Sequence, residues 1–257
     1  MMSSLPDYVV ADPSGNITVL VTQLVPPDKQ AETAALLFAA EPQCEQVGYV
    51  SNAVPGRSIS IRMSGGEFCG NAALSAAAYA LMLGGEAAGD IRVDFCGVDA
   101  PMYASVERVE QSFFKASVSM PLPESVKDTA LQLGEKTCIL PVVAFPGISH
   151  VVMNGSVEKQ LAEASVRQWC RKLDVPALGL IMLEPEENRL TPLVYVSAVD
   201  TLYWEKSCAS GTCAAARVLF LKEGKNECSF KQPGGILSAK TDGGSLYLFG
   251  SVGFKSK

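Results

Sequence analysis

Apolar and polar residues change their period several times along this chain, and each change predicts an element. Over residues 8–24 the two classes alternate around a Pro13-Ser14-Gly15-Asn16 break, which predicts two strands joined by a turn. Residues 28–40 are rich in Ala, Leu, Glu and Gln and stop before Pro42, as a helix does. Residues 47–50 and 58–63 read as strands, the second from its strict alternation. The run AALSAAAYALML (72–83) is apolar on nearly every face, so with Gly84-Gly85 behind it a buried helix with a glycine stop is expected. Further strands are predicted at 91–95, 101–107 and 112–120.

Pro121-Leu122-Pro123 is the best candidate boundary. Beyond it, 137–145, 148–153, 178–183 and 193–198 look like strands, and 157–173 is an amphipathic helix. WEKSCASGT (204–212) then leads into a second small-residue helix closed by Gly224, and short strands with glycine turns fill 227–254. Both halves thus run strands, helix, strands, a cysteine loop, an Ala-rich helix and more strands. Two tandem units, 1–120 and 121–257, are expected, with the last strand free to return to the first half and a cleft between them.

Composition narrows the function classes. The 257 residues carry 21 Lys+Arg against 27 Asp+Glu, a net charge of −6, with no basic cluster. A nucleic-acid surface and an anionic membrane surface are therefore not expected. No stretch reaches the ~18–20 apolar residues of a membrane span, and the opening MMSSLPDYVVADPSGN lacks the basic start of a targeting signal. A cytoplasmic protein is expected. Eight cysteines without a CxxC pair, and a single histidine, argue against a disulfide framework and against structural zinc. No metal is expected, and the glycine cluster at 65–70 lacks a nucleotide-binding pattern.

Two cysteines stand apart. Cys69 and Cys208 each open an Ala-rich helix at matching places in the two halves. A thiol at a helix N-terminus sees the positive end of the dipole and unpaired N–H groups, which favour its thiolate. The same N–H groups bind a carboxylate. Gly70-Asn71 and Ala209-Ser210 follow the two cysteines and are small enough for a ligand to approach the backbone. Facing one cleft, such loops would grip one amino-acid carboxylate and set a sulfur on each side of its Cα. One thiolate would remove the Cα proton and the opposite thiol would return one, inverting the centre. Spacing alone does not separate this from two structural cysteines.

The motifs carry a resemblance. EFCGNAA (67–73) and CASGTCAAA (208–216) resemble the two catalytic segments of diaminopimelate epimerase, and the second also resembles that of proline racemases. GISHVV (147–152) resembles the epimerase Gly-Asn-Pro-His-x-Val segment. Within that superfamily, the turn at Asn16, CEQVGYV (44–50), MSGGEFCGN (63–71), YWEKSCASGT (203–212) and KQPGG (231–235) resemble the histidine racemases of staphylopine-type opine metallophore synthesis. The resemblance implies an α+β fold of two pseudosymmetric domains, each a β-barrel-like sheet around a central helix, with the active site in the interdomain cleft. It implies an isomerase that needs no cofactor, with Cys69 and Cys208 catalytic and Asn16, Glu45, Gly70, Asn71, His150, Ala209 and Ser210 binding substrate. A small amino acid is the expected partner, and a homodimer is compatible with the pattern.

Departures narrow the substrate. The epimerase Arg that holds a distal amino-carboxylate is absent here, where Asp200-Thr201-Leu202-Tyr203-Trp204 stands instead. A neutral or weakly basic side chain fits better, with Glu45 pairing an imidazole and Tyr203 or Trp204 lining its plane. Three alternatives remain open at this point. They are diaminopimelate epimerase or a racemase of another amino acid, a cysteine hydrolase using Cys69 with His150, and a non-catalytic amino-acid-binding protein of the same fold.

Overall fold

The structure is a computed structural model that describes residues 5–255. They form sixteen strands and four α-helices, which divide into two compact units: residues up to 119 together with 249 onward, and residues 120–248.

The first unit contains β1 (Tyr8–Pro13), β2 (Thr18–Val21), helix α1 (Pro27–Ala40), β3 (Gln46–Val54) and β4 (Ser58–Met63). Helix α2 (Gly70–Gly84), β5 (Ala88–Phe95), β6 (Met102–Glu110) and β7 (Phe113–Ser119) follow. The second unit runs β8 (Ser125–Leu133), β9 (Lys136–Phe145), β10 (Ile148–Asn154), α3 (Lys159–Leu173), β11 (Ala177–Glu184), β12 (Arg189–Val196), β13 (Thr201–Trp204), α4 (Ala209–Glu223), β14 (Glu227–Gln232) and β15 (Gly235–Thr241). The last strand, β16 (Leu246–Phe254), begins in the second unit and ends in the first.

In the first unit the strands pair in chain order from β1 to β7, then to β16, and β16 pairs back onto β1 through Ala11–Phe254, Asp12–Gly253 and Pro13–Val252. The sheet is therefore a closed barrel of eight strands. An eight-stranded barrel has an interior little wider than its own side chains. Helix α2 nevertheless threads it and touches β1 through β7, because Ala72, Ala73, Ala76, Ala77, Ala78 and Ala80 keep it thin on every buried side. Gly85, in the left-handed region at φ 76°, stops the helix as expected. Helix α1 covers the outside. Val19 and Val21 of β2 and Val47 and Tyr49 of β3 pack on its Ala34 and Leu37. Side chains alternate along a strand, so Gln46, Gly48 and Val50 of β3 point the other way, towards α2.

In the second unit the order is β16-β15-β14-β12-β11-β10-β9-β8, with β13 paired to β12. Alternation again divides the sheet. Leu178, Leu180 and Met182 of β11, Val151 and Met153 of β10, and Leu193 and Tyr195 of β12 pack with Trp169 and Val166 of α3. The intervening residues, including His150 and Val152 of β10 and Gly179 and Ile181 of β11, face α4, which lies on β9, β10, β11, β14 and β15. Gly224, at φ 71°, ends α4.

Two strands were not expected from the sequence. The first is β8, in which only Leu131 is buried, so it carries no hydrophobic period. The second is β13, where no element was predicted, which pairs with β12 from Leu193–Trp204 to Val196–Thr201.

Candidate active site

Each of the two singled-out cysteines is the residue that caps its helix. Cys69 has extended φ/ψ of −138° and 113°, and its Sγ accepts the Ala72 N–H at 3.4 Å. Cys208 has −122° and 111°, and its Sγ accepts the Gly211 N–H, also at 3.4 Å. Helix caps are ordinarily Ser, Thr, Asp or Asn, whose oxygen meets an N–H two or three residues on. A thiol is a weak acceptor and a thiolate a strong one, so a sulfur in this position is best served when it is negative.

Both sulfurs are buried, and their neighbours differ. Around Cys69, the S–H donates to Gln46 Oε1 at 2.8 Å, Gly70 opens α2, and Asn71 is buried one residue on. The Asn71 carbonyl accepts the Ser75 hydroxyl at 2.9 Å.

Around Cys208 the backbone is pinned at both ends. Its N–H donates to Gln232 Oε1 at 2.8 Å, and its carbonyl accepts the Thr212 hydroxyl at 2.7 Å. Gln232 Nε2 closes the ring onto Thr212 Oγ1 at 2.8 Å. Burial, and then the charge and hydrogen bonding of Glu205, push the Cys208 thiol well above its ordinary pKa. The Gly211 N–H and Ser210 hydroxyl pull in the opposite direction and lose. Cys208 therefore rests as a thiol. Gly211 lets Ile181 and the Cys208 sulfur pack close against the helix backbone. A Cβ there would run into Ile181 and stand 3.1 Å from the Cys208 sulfur.

His150 lies on the α4 face of β10 and is fully buried, its Nε2 2.9 Å from Ser210 Oγ. Burial lowers its pKa to about 3, so the ring is neutral. Among the described residues its Nδ1 has no hydrogen-bond partner. A buried N–H without an acceptor costs more than a bare lone pair, which puts the proton on Nε2, donating to Ser210. The Ser210 hydroxyl is then free to turn to Cys208 Sγ, 3.8 Å away. Gly179, the partner of His150 in the β10–β11 register, makes room for the ring, since a Cβ there would overlap Nδ1.

In the first unit, Asn16 follows a turn whose Ser14 and Gly15 have φ of 55° and 90°. Asn16 is buried, and its Nδ2 donates to Glu45 Oε2 at 2.9 Å. That bond fixes the amide orientation, because the reverse would set two acceptors together. The structure thus gathers Asn16 with Glu45, Cys69 with Gly70 and Asn71, and His150 with Cys208, Ala209 and Ser210.

Three expectations change. Trp204 does not line a ligand plane. Its Nε1 donates to Glu163 Oε1 of α3 at 2.8 Å, and its ring packs on the α3 core. The hydrolase alternative loses its base, because His150 is a buried neutral ring committed to Ser210 while Cys69 is held by Gln46. From the sequence Glu205 reads only as a carboxylate that favours the α4 N-terminus, whereas in the structure it acts directly on the Cys208 thiol. Gln46 and Gln232 were not expected at all. Both lie in motifs that the sequence displays, CEQVGYV and KQPGG, but an amide there carries no chemical signal by itself.

The chain is similar to known racemases and epimerases. The family model described as the histidine racemase CntK N-terminal domain matches residues 6–247. A histidine racemase from Fusobacterium nucleatum is 26% identical over 255 residues, covering 96% of this chain and 93% of that protein. One from Staphylococcus aureus is 28% identical over 239 residues, covering 88% and 85%. Among solved structures, a "predicted epimerase" from Pseudomonas aeruginosa shares the fold at a TM-score of 0.68 and 13% identity, covering 97% of this chain and 96% of that one. A hydroxyproline epimerase from Agrobacterium vitis with bound trans-4-hydroxy-L-proline does so at 0.58 and 11%, covering 97% and 90%.

Proposed function

Because the chain belongs to the histidine racemase CntK N-terminal domain family, and is an isomerase of the amino-acid racemase type, we propose that it inverts the Cα of histidine without a cofactor, using Cys69 and Cys208 as its two proton-transfer groups. The observation that carries this reading is the matched capping geometry, with each sulfur receiving the N–H three residues on at 3.4 Å. As thiolate, one sulfur takes the Cα proton. The Cα–H bond breaks, an S–H bond forms, and the electron pair passes into the substrate carboxylate as an enolate-like charge. The other thiol then protonates the opposite face. N–H groups at the two helix ends hold the carboxylate and stabilise its growing charge. Small residues at 70 and 209 put no large side chain over that backbone.

Histidine is favoured over a diamino-dicarboxylate by the acceptors in the first unit. Asn16 Oδ1 is buried with no hydrogen-bond partner among the described residues, and Asn16 stands beside the Glu45 carboxylate. An amide oxygen next to a carboxylate suits an N–H-bearing ring and repels a second carboxylate. The D-histidine product would serve opine metallophore synthesis, as the motif resemblance implies.

Proton NMR of L-histidine with the reduced protein in D₂O tests this reading. Loss of the Cα–H signal, with D-histidine appearing on a chiral column, is expected. Exchange of another amino acid and not histidine overturns the substrate. Binding without any exchange overturns the activity in favour of the amino-acid-binding alternative.

A further inference from the structure

A carboxylate stands by one thiol and an amide by the other. Cys208 stands by the Glu205 carboxylate, which can only accept a hydrogen bond. Cys69 donates its S–H to the amide oxygen of Gln46 at 2.8 Å. We propose that Gln46 is a positioning residue for Cys69, whose amide holds the sulfur in both the thiol and the thiolate form. This rests on the two-cysteine reading above.

The placement follows from strand alternation. Gln46 opens β3, next to Thr18 of β2, on the face opposite Val47 and Tyr49. Its side chain therefore points to the barrel interior, where α2 begins at Cys69. A primary amide carries an acceptor and two donors on one terminal torsion, and that torsion is broad. With the thiol, Oε1 accepts the S–H as observed. Once the proton has left, a half-turn of the amide presents Nε2–H to the sulfur. Cys69 needs both forms, because it gains a proton when it acts as base and gives one up when it acts as acid. A carboxylate at position 46 would serve only the thiol, and an ammonium only the thiolate. The amide adds no charge, so it holds the sulfur without biasing either state by a full Coulomb interaction.

The test uses Gln46→Glu and Gln46→Met. Alkylation of Cys69 and Cys208 by iodoacetamide is followed against pH, each cysteine being mapped by peptide mass spectrometry. Cα–H exchange of histidine is measured over the same range. Gln46→Glu is expected to raise the pH midpoint of Cys69 alkylation by about one unit or more, since a fixed negative charge opposes the thiolate. Exchange at pH 7 then falls about tenfold or more, and the Cys208 midpoint stays in place. Gln46→Met removes acceptor and donor together; because the bond to the charged thiolate is the stronger of the two, the Cys69 midpoint moves in the same direction, and this variant is read alone if the Glu variant does not fold.

An unmoved Cys69 midpoint in either folded variant overturns the proposal, because an amide that merely supports the fold would change yield or stability and not that midpoint. Cys69→Ser separates the two levels. If it keeps full exchange, the two-cysteine reading fails, and the role of Gln46 fails with it. If it abolishes exchange while the Gln46 variants leave the midpoint in place, only the role of Gln46 is lost.

Discussion

Lowering the pH from 8 to 5 perturbs the second unit at one identifiable atom pair, the ring nitrogens of His150. In the unfolded chain this ring takes a proton near pH 6.5, and in the fold burial holds its pKa at about 3. Between these values the unfolded chain binds more protons, so acid favours unfolding. The stability held by the neutral ring is complete above pH 6.5 and is lost as the pH falls towards 3. At pH 5 the unfolded ring is protonated about thirtyfold over its neutral form while the folded ring stays neutral. That corresponds to about 2 kcal/mol of lost stability.

The chain has a single histidine, and carboxylates titrate mainly below pH 5, so this window isolates the effect. Urea unfolding followed by far-ultraviolet circular dichroism at fixed pH values from 8 to 5 measures it. His150→Phe, of similar volume and without a titrating group, is expected to remove that pH dependence, whatever its absolute stability. Parallel pH curves for the wild type and the Phe variant would refute the reasoning. So would an imidazole resonance titrating near pH 6.5 in the folded protein.

Three other outcomes follow from the same contacts. Glu205→Gln removes a carboxylate that holds the Cys208 thiol up, so Cys208 is expected to be alkylated at lower pH. An unchanged midpoint excludes Glu205 as the cause. Gly179→Ala puts a Cβ where the His150 ring lies. The ring is expected to leave Ser210, changing the ¹⁵N spectrum of the lone histidine and lowering racemisation, whereas an unaltered spectrum contradicts the placement. Gln232→Leu leaves the buried Cys208 N–H without its acceptor and is expected to cost about 1–3 kcal/mol in denaturant unfolding. A loss well below 1 kcal/mol means that another acceptor has taken its place.

What the sequence reveals, and what it hides, follows from the range of the interactions concerned. Helices α2 and α4 are legible because their signals are local: small residues on every face, and a glycine able to take positive φ at the stop. The cysteine caps are legible because helix geometry fixes where an N-terminal sulfur sits. Strand β8 is hidden because its burial is confined to Leu131, so tertiary pairing with β9, and not a hydrophobic period, makes it a strand. The glutamines are hidden for a related reason. Gln46 reaches Cys69 from 23 residues away, and Gln232 reaches Cys208 from 24, each carried there by strand register. A composition or motif records the amide and not the neighbour it meets.

The different settings of Cys69 and Cys208 bear on what a racemase is free to vary. L- and D-histidine have equal free energies in water, so the equilibrium constant is one whatever the protein does. It follows that kcat/KM is the same in the two directions. An acceptor-only Glu205 beside Cys208 and a two-way Gln46 beside Cys69 therefore cannot favour one product. They can only set which protonation form of the free enzyme is the more populated. Glu205 biases Cys208 towards its thiol, and a two-cysteine cycle that begins with Cys208 as the thiol begins with Cys69 as the base. The enantiomer whose Cα–H meets Cys69 then finds the ready form, and the other enantiomer waits for a proton to move. Under the two-cysteine reading, that asymmetry is expected to appear as kcat and KM scaled together between the two directions. Replacing Glu205 with Gln brings the two pairs of values closer while their ratios stay equal.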